Sequence, residues 1–88
     1  MADRILPVTG YTTFDLLDAT VEGHEFDAET FAVLNVATTD GGDRVELQVE
    51  LDHTDLPVAA HADRLRLSPA EARELAAELE SRADDLTE

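Results

Sequence analysis

Between Val45 and Leu51 the chain alternates strictly: Val45, Leu47, Val49 and Leu51 are apolar, while Glu46, Gln48, Glu50 and Asp52 between and after them are polar. Successive side chains of a strand point to opposite faces, so this pattern predicts a strand over 44–52 with one dry and one wet face. The stretch Thr30 to Thr38 reads as a second strand, apolar on both sides, with Phe31 and Val33 on one and Ala32, Leu34 and Val36 on the other. Such a strand belongs at the centre of a sheet or beneath a partner. Thr39 to Asp43, with two adjacent glycines, suits a tight hairpin between the two. Arg64 to Leu67 predicts a short strand that feeds the last element.

That last element is a helix over 69–86. Ser68 is a natural N-cap, Pro69 suits the first helical position, and Glu71 stands where a capping box needs a carboxylate. Ala72, Leu75, Ala76, Leu79, Ala83 and Leu86 recur every three or four residues and form one apolar stripe. Glu78 and Arg82 make a favourable i,i+4 pair on the wet side, whereas Asp84 and Asp85 oppose the dipole at the C-terminus.

The stretch from Phe14 to Gly23 has two readings. Leu17, Ala19 and Val21 alternate as a strand, and Phe14, Leu17 and Val21 also fit one side of a helix. The strand is preferred because Thr20 to Gly23 runs into a turn and then into another strand. The expected fold is α+β: a small antiparallel sheet of about four strands, beginning as a meander, with one C-terminal amphipathic helix packed on one face. It fills residues 1–88 as a single domain, with 1–10 a flexible or covering segment, 14–52 the meander, 53–63 a connecting loop, 64–67 the short strand and 69–86 the helix.

Charge changes this picture. Asp and Glu number 21 against 6 basic residues, for a net charge of −15, and all six are arginine. The acids run through the whole chain among apolar residues, which is the pattern of a solvated surface rather than of an acidic arm. Self-repulsion on that scale is largely screened in molar salt, where the Debye length falls to about 3 Å. A salt-filled cytoplasm is therefore expected. No apolar run reaches the roughly 20 residues of a membrane span, and no charged-then-apolar leader opens the chain, so membrane association is not expected. The stretches GYTTFDLLDATVEGHEFD, FAVLNVAT and HADRLRLSPAEARELAAELE together resemble a family of small acidic haloarchaeal proteins of unknown function, over nearly the full length. The resemblance implies a halophilic host and brings no active residues with it.

Little in the chain looks like chemistry. In HTDLPVAAHAD, His53 is followed two residues later by Asp55, and His61 by Asp63; His24, with Glu25 or Asp27, could join them. Histidine and carboxylate are zinc ligands, but the spacing is not the i,i+4 pairing of a helical site. Asp52, Thr54 and Asp55 around Pro57 are equally turn formers. With no cysteine, thiolate ligands and disulfides are excluded. There is no G-x-S-x-G elbow, Ser68 serves as a cap, Ser81 lies on the helix, and TDGGDR lacks the lysine of a phosphate loop. No catalytic residue and no cofactor is expected.

Arg64, Arg66 and Arg73 in RLRLSPAEARELAAEL resemble the strand and first helix of a ribbon-helix-helix repressor, but the second helix is missing. Cross-strand pairing of Arg64 and Arg66 with acids of a neighbouring strand is the simpler expectation. The leading expectation is thus a non-enzymatic interaction module, a homodimer or a regulatory adaptor, whose partner is itself or another protein. Its interface would use Phe31 and Val33, or else Leu34 and Val36. Folding of the N-terminal ILPVTGY over the same face would instead leave a monomer. Two other readings are a metal- or small-ligand-binding domain using His53, Asp55, His61 and Asp63, and a DNA-associated regulator using Arg64, Arg66 and Arg73. Nucleic acid is not the expected partner.

Overall fold

The computed structural model describes residues 12–54, 56 and 59–86. Strands β1 (Thr12–Glu22), β2 (Asp27–Thr38), β3 (Val45–Leu51) and β4 (Ala62–Leu67) precede one helix, α1 (Pro69–Leu86). The strands form one antiparallel sheet in the order β1-β2-β3-β4, a meander in which every chain neighbour is a spatial neighbour. The fold is therefore the expected four-strand antiparallel sheet with one C-terminal helix. The stretch with two readings is strand. The covering role expected of residues 1–10, and of ILPVTGY, lies outside the described residues.

Pairing carries β2 three residues further back than the apolar pattern marks. Glu22 pairs with Asp27 across a turn closed by the Gly23 N–H donating to the Phe26 carbonyl at 2.7 Å. A side-chain carbon at position 23 would run into the Phe26 ring, which would have to shift to admit it. The β2–β3 turn is closed by the Gly42 N–H donating to the Thr39 carbonyl at 2.8 Å, with Gly42 at φ 72°. An L side chain rarely adopts that backbone, and glycine does so at no steric cost.

β1 contains one irregularity. Phe14 pairs with Leu34 and Leu17 with Ala32, so three steps of β1 oppose two of β2. The extra residue is a β-bulge. Leu16 takes φ 57°, and its N–H is met by the Asp15 carboxylate at 2.9 Å.

Pairing fixes which residues share a face, because directly opposed residues point the same way. One face carries Leu34 and Val36 of β2, Val45, Leu47, Val49 and Leu51 of β3, Leu65 and Leu67 of β4, and Phe14, Leu17, Ala19 and Val21 of β1. The other carries Val33, Asn35 and Ala37 beside Glu46, Gln48 and Glu50, then Arg64 and Arg66. Among the described residues the buried ones are Ala32, Val33, Asn35, Ala37 and Glu50, and all but Ala32 lie on this more polar face. The apolar face is the less covered of the two.

The helix begins as its sequence predicts. The Ser68 N–H donates to Glu71 Oε1 at 2.9 Å and the Glu71 N–H donates to Ser68 Oγ at 3.1 Å, a complete capping box. Ser68 alone separates β4 from α1. The helix meets the sheet chiefly through β4, and none of its residues is buried. A helix laid flat across the sheet would cover more of the dry face than this.

Candidate functional site

The polar face carries a connected row of side chains across three strands. Asn35, wholly buried on β2, donates from Nδ2 to Gln48 Oε1 at 3.2 Å. Gln48 Nε2 donates in turn to Glu46 Oε1 at 2.6 Å. Glu46 Oε2 lies 3.1 Å from Arg66 Nε, and its Oε1 lies 3.9 Å from Arg64 Nε. The alternation of β3 puts Glu46 and Gln48 on one side, and the β3–β4 register sets Arg66 opposite Glu46 and Arg64 opposite Gln48. The two arginines are thus drawn to an acid of the neighbouring strand, the expected cross-strand pairing. Both arginine side chains remain largely exposed, and Arg73 lies on α1. A groove of about 280 Å³ lies at the end of this row, between Thr38, Asp40, Glu46 and Arg66.

The histidines sit in separate settings. His61 lies just before β4, with Nε2 3.6 Å from Asp63 Oδ2 and Nδ1 2.9 Å from the Ala59 carbonyl, and both His61 and Asp63 are exposed. His53 follows the end of β3, half-buried, and its carbonyl accepts from the Leu56 N–H at 3.0 Å. Asp52 beside it accepts from the Thr54 hydroxyl at 2.7 Å and the Thr54 N–H at 3.0 Å. These two bonds hold the Asp52 carboxyl below its ordinary value. The carboxylate is thereby committed to a local turn, the Asx type. Asp55 lies outside the described residues, and His24 is exposed in the β1–β2 turn. Among the described residues no group of three or more histidine, aspartate or glutamate side chains converges in a way that could hold a metal ion.

The apolar face is the most extended chemical feature of the domain. Leu34, Val36, Leu47 and Val49 pair across its centre and are only half-buried. Around them Leu65 is 56 %, Phe14 46 % and Leu17 38 % exposed. Of the strand residues facing this way only Asp63 is acidic, in a chain with 21 acids. The four interface residues expected from the sequence divide between the faces. Leu34 and Val36 belong to the apolar face; Phe31 and Val33 belong to the other, with Val33 only 3 % exposed and Phe31 49 %. Leu47, Val49 and Leu65 were open to the same reasoning, since the strand alternation already aligns them. Phe14 was not, because the bulge hides its phase.

Among the described residues no helix is long and apolar enough to cross a membrane. No curated protein matches the chain, and neither does any solved structure. A family model does match, over residues 1–87, and the chain belongs to that family, a family of unknown function designated DUF6360.

Proposed function

We propose that this domain is a non-enzymatic interaction module that self-associates through its apolar sheet face and works in concentrated salt. The observation that carries the reading is the central patch of Leu34, Val36, Leu47 and Val49, half-buried and rimmed by the more exposed Leu65, Phe14 and Leu17. An apolar patch of this extent on a small domain marks an interaction surface. A patch that contacts its own copy closes on a two-fold axis, and the self-complementary contact then saturates as a dimer.

Charge sets the conditions. Two copies that each carry −15 repel one another in dilute buffer, and at 1 M salt the screening length drops to about 3 Å from about 10 Å at 0.1 M. Apolar association is strengthened or left intact by the same change. The near absence of acids from the apolar face is what allows two such chains to meet there. Light scattering of the purified chain between 0.1 and 3 M salt tests this. The expected result is a mass of two chains at high salt that falls toward one chain on dilution or desalting. A single-chain mass at every concentration and salt overturns the reading.

A further inference from the structure

We propose that the link between Asp40 and Gly41 is a site of spontaneous backbone modification, where aspartate isomerises to isoaspartate through a cyclic imide. The reaction needs only water. The main-chain nitrogen of Gly41 loses its proton and attacks the side-chain carboxyl carbon of Asp40. A carboxyl oxygen leaves as water, and a succinimide ring closes. Water then reopens the ring at either carbonyl. Opening at the side-chain carbonyl restores aspartate; opening at the main-chain carbonyl leaves the chain running through the side chain. The water lost in the first step returns in the second, so mass is conserved.

The first step needs an accessible nitrogen, an uncommitted carboxyl and a following residue that does not crowd the attack. Asp40–Gly41 is the only aspartyl-glycyl pair in the chain, and both residues are exposed at the tip of the β2–β3 hairpin. In that turn the Gly42 N–H is given to the Thr39 carbonyl and the Thr39 N–H to the Arg44 carbonyl, while the Gly41 N–H donates to no carbonyl among the described residues. Neighbouring aspartates differ. Asp43 accepts from the Thr39 hydroxyl at 3.1 Å, and Asp52 accepts twice from Thr54. Asp15 accepts the Leu16 N–H at 2.9 Å, so that nitrogen is occupied and carries a branched neighbour. An exposed loop tip opens locally without unfolding the sheet, which lets the Gly41 nitrogen reach the carboxyl.

The product changes the hairpin. Isoaspartate adds a methylene to the main chain between Thr39 and Gly42, so the 2.8 Å bond that closes the turn must span a larger ring. The pairing of Thr38 with Val45 starts directly beyond it, and β2 and β3 are the two central strands. The modification therefore loosens the end of the central pair and leaves the residues of the apolar face unchanged.

The folded chain is aged at neutral pH in molar salt and probed with an isoaspartyl carboxyl methyltransferase and a labelled methyl donor. Cleavage after arginine and fragmentation of the peptide place the label. Asp40→Glu keeps the charge but would have to close a larger ring. Gly41→Ala crowds the nitrogen and is admitted by the turn, since its side-chain carbon would meet Asp43 Oδ1 at 3.5 Å, an ordinary contact. Circular dichroism checks that both variants fold. The expected result is label that grows with age, maps to Asp40, is lost in Asp40→Glu and falls several-fold in Gly41→Ala. Label that forms only in the urea-unfolded chain, or in neither state, overturns the proposal. So does label that maps elsewhere or forms at the parent rate in both variants.

Discussion

Phe14 and Leu17 stand three residues apart in the chain and on the same face of the sheet, because one residue more than regular pairing allows is fitted between them. Leu16 absorbs the difference at φ 57°. For a residue with a side chain the left-handed region costs about 1–2 kcal/mol. Its side chain recovers little of that, being 63 % exposed.

Substitutions at Leu16 should therefore follow backbone tolerance rather than hydrophobicity. Leu16→Gly relieves the strain and adds about 0.5–1 kcal/mol of chain entropy to lose, so it should leave stability unchanged or raise it by up to about 1 kcal/mol. Leu16→Val, stiff at its first side-chain torsion, should lower it by about 1 kcal/mol or more. Urea unfolding in molar salt ranks the three. Glycine falling below leucine would contradict the bulge geometry.

Ser68 and Glu71 give a second prediction, with a defined pH sign. The Ser68 N–H, and after it the Ser68 hydroxyl, hold the Glu71 carboxyl below its ordinary value of 4.5. A carboxyl whose folded value is depressed contributes stability that is fully present above its unfolded value and is lost as pH falls through the folded one. Helicity should therefore drop on acidification below about pH 4.5, and Glu71→Gln should show a smaller drop over that window. Circular dichroism of the pair between pH 6 and 2 reads the difference. Ser68→Ala, which removes the cap itself, should cost about 1 kcal/mol at neutral pH.

Features that depend on a few adjacent residues were legible in the chain. The Ser68-to-Glu71 spacing marked the helix start, and the alternation of Val45 to Leu51 marked a half-dry strand. The β1 stretch was ambiguous for a physical reason. A bulge inserts one residue into a two-residue repeat, so Phe14, Leu17 and Val21 acquire spacings of three and four, the same as one side of a helix. Where the Leu75 and Leu79 stripe lands is not local at all. It depends on the direction in which α1 leaves β4, and a one-residue connection with a fixed cap sets that direction. Chemistry was legible only as residue types. His53 follows β3 and His61 precedes β4, and each is held by a local bond, the His53 carbonyl by the Leu56 N–H and the His61 ring by the Ala59 carbonyl.

Those local bonds predict indifference at the histidines. His53→Gln and His61→Gln together should change stability by under about 0.5 kcal/mol, since polar loop residues outside special features seldom matter more. Addition of zinc or manganese should not raise the melting temperature of the unaltered chain. A metal-dependent rise that the double variant abolishes would assign this loop a ligand-binding role instead.

Val33 and Leu34 are adjacent in β2 and point to opposite faces, and that contrast separates folding from association. Val33 is 3 % exposed. Val33→Glu would place a carboxylate there beside Glu50, also buried and directly opposite in the β2–β3 pairing. An unpaired charge in such a position costs several kcal/mol, which is comparable with the whole stability of a domain this small. Val33→Glu should therefore abolish cooperative unfolding at every salt concentration. Leu34 is half-buried at the centre of the apolar face, opposite Val49. A carboxylate there remains hydrated in a single chain and is dehydrated only when a second copy covers the face. Leu34→Glu should therefore fold, unfold cooperatively in molar salt and scatter as a single chain. The decisive comparison is the mass of Leu34→Glu against that of the unaltered chain, at equal concentration and salt. A Leu34→Glu chain that remains dimeric would move the interface away from this face. One that fails to fold would show that the apolar face is already needed as core within a single chain.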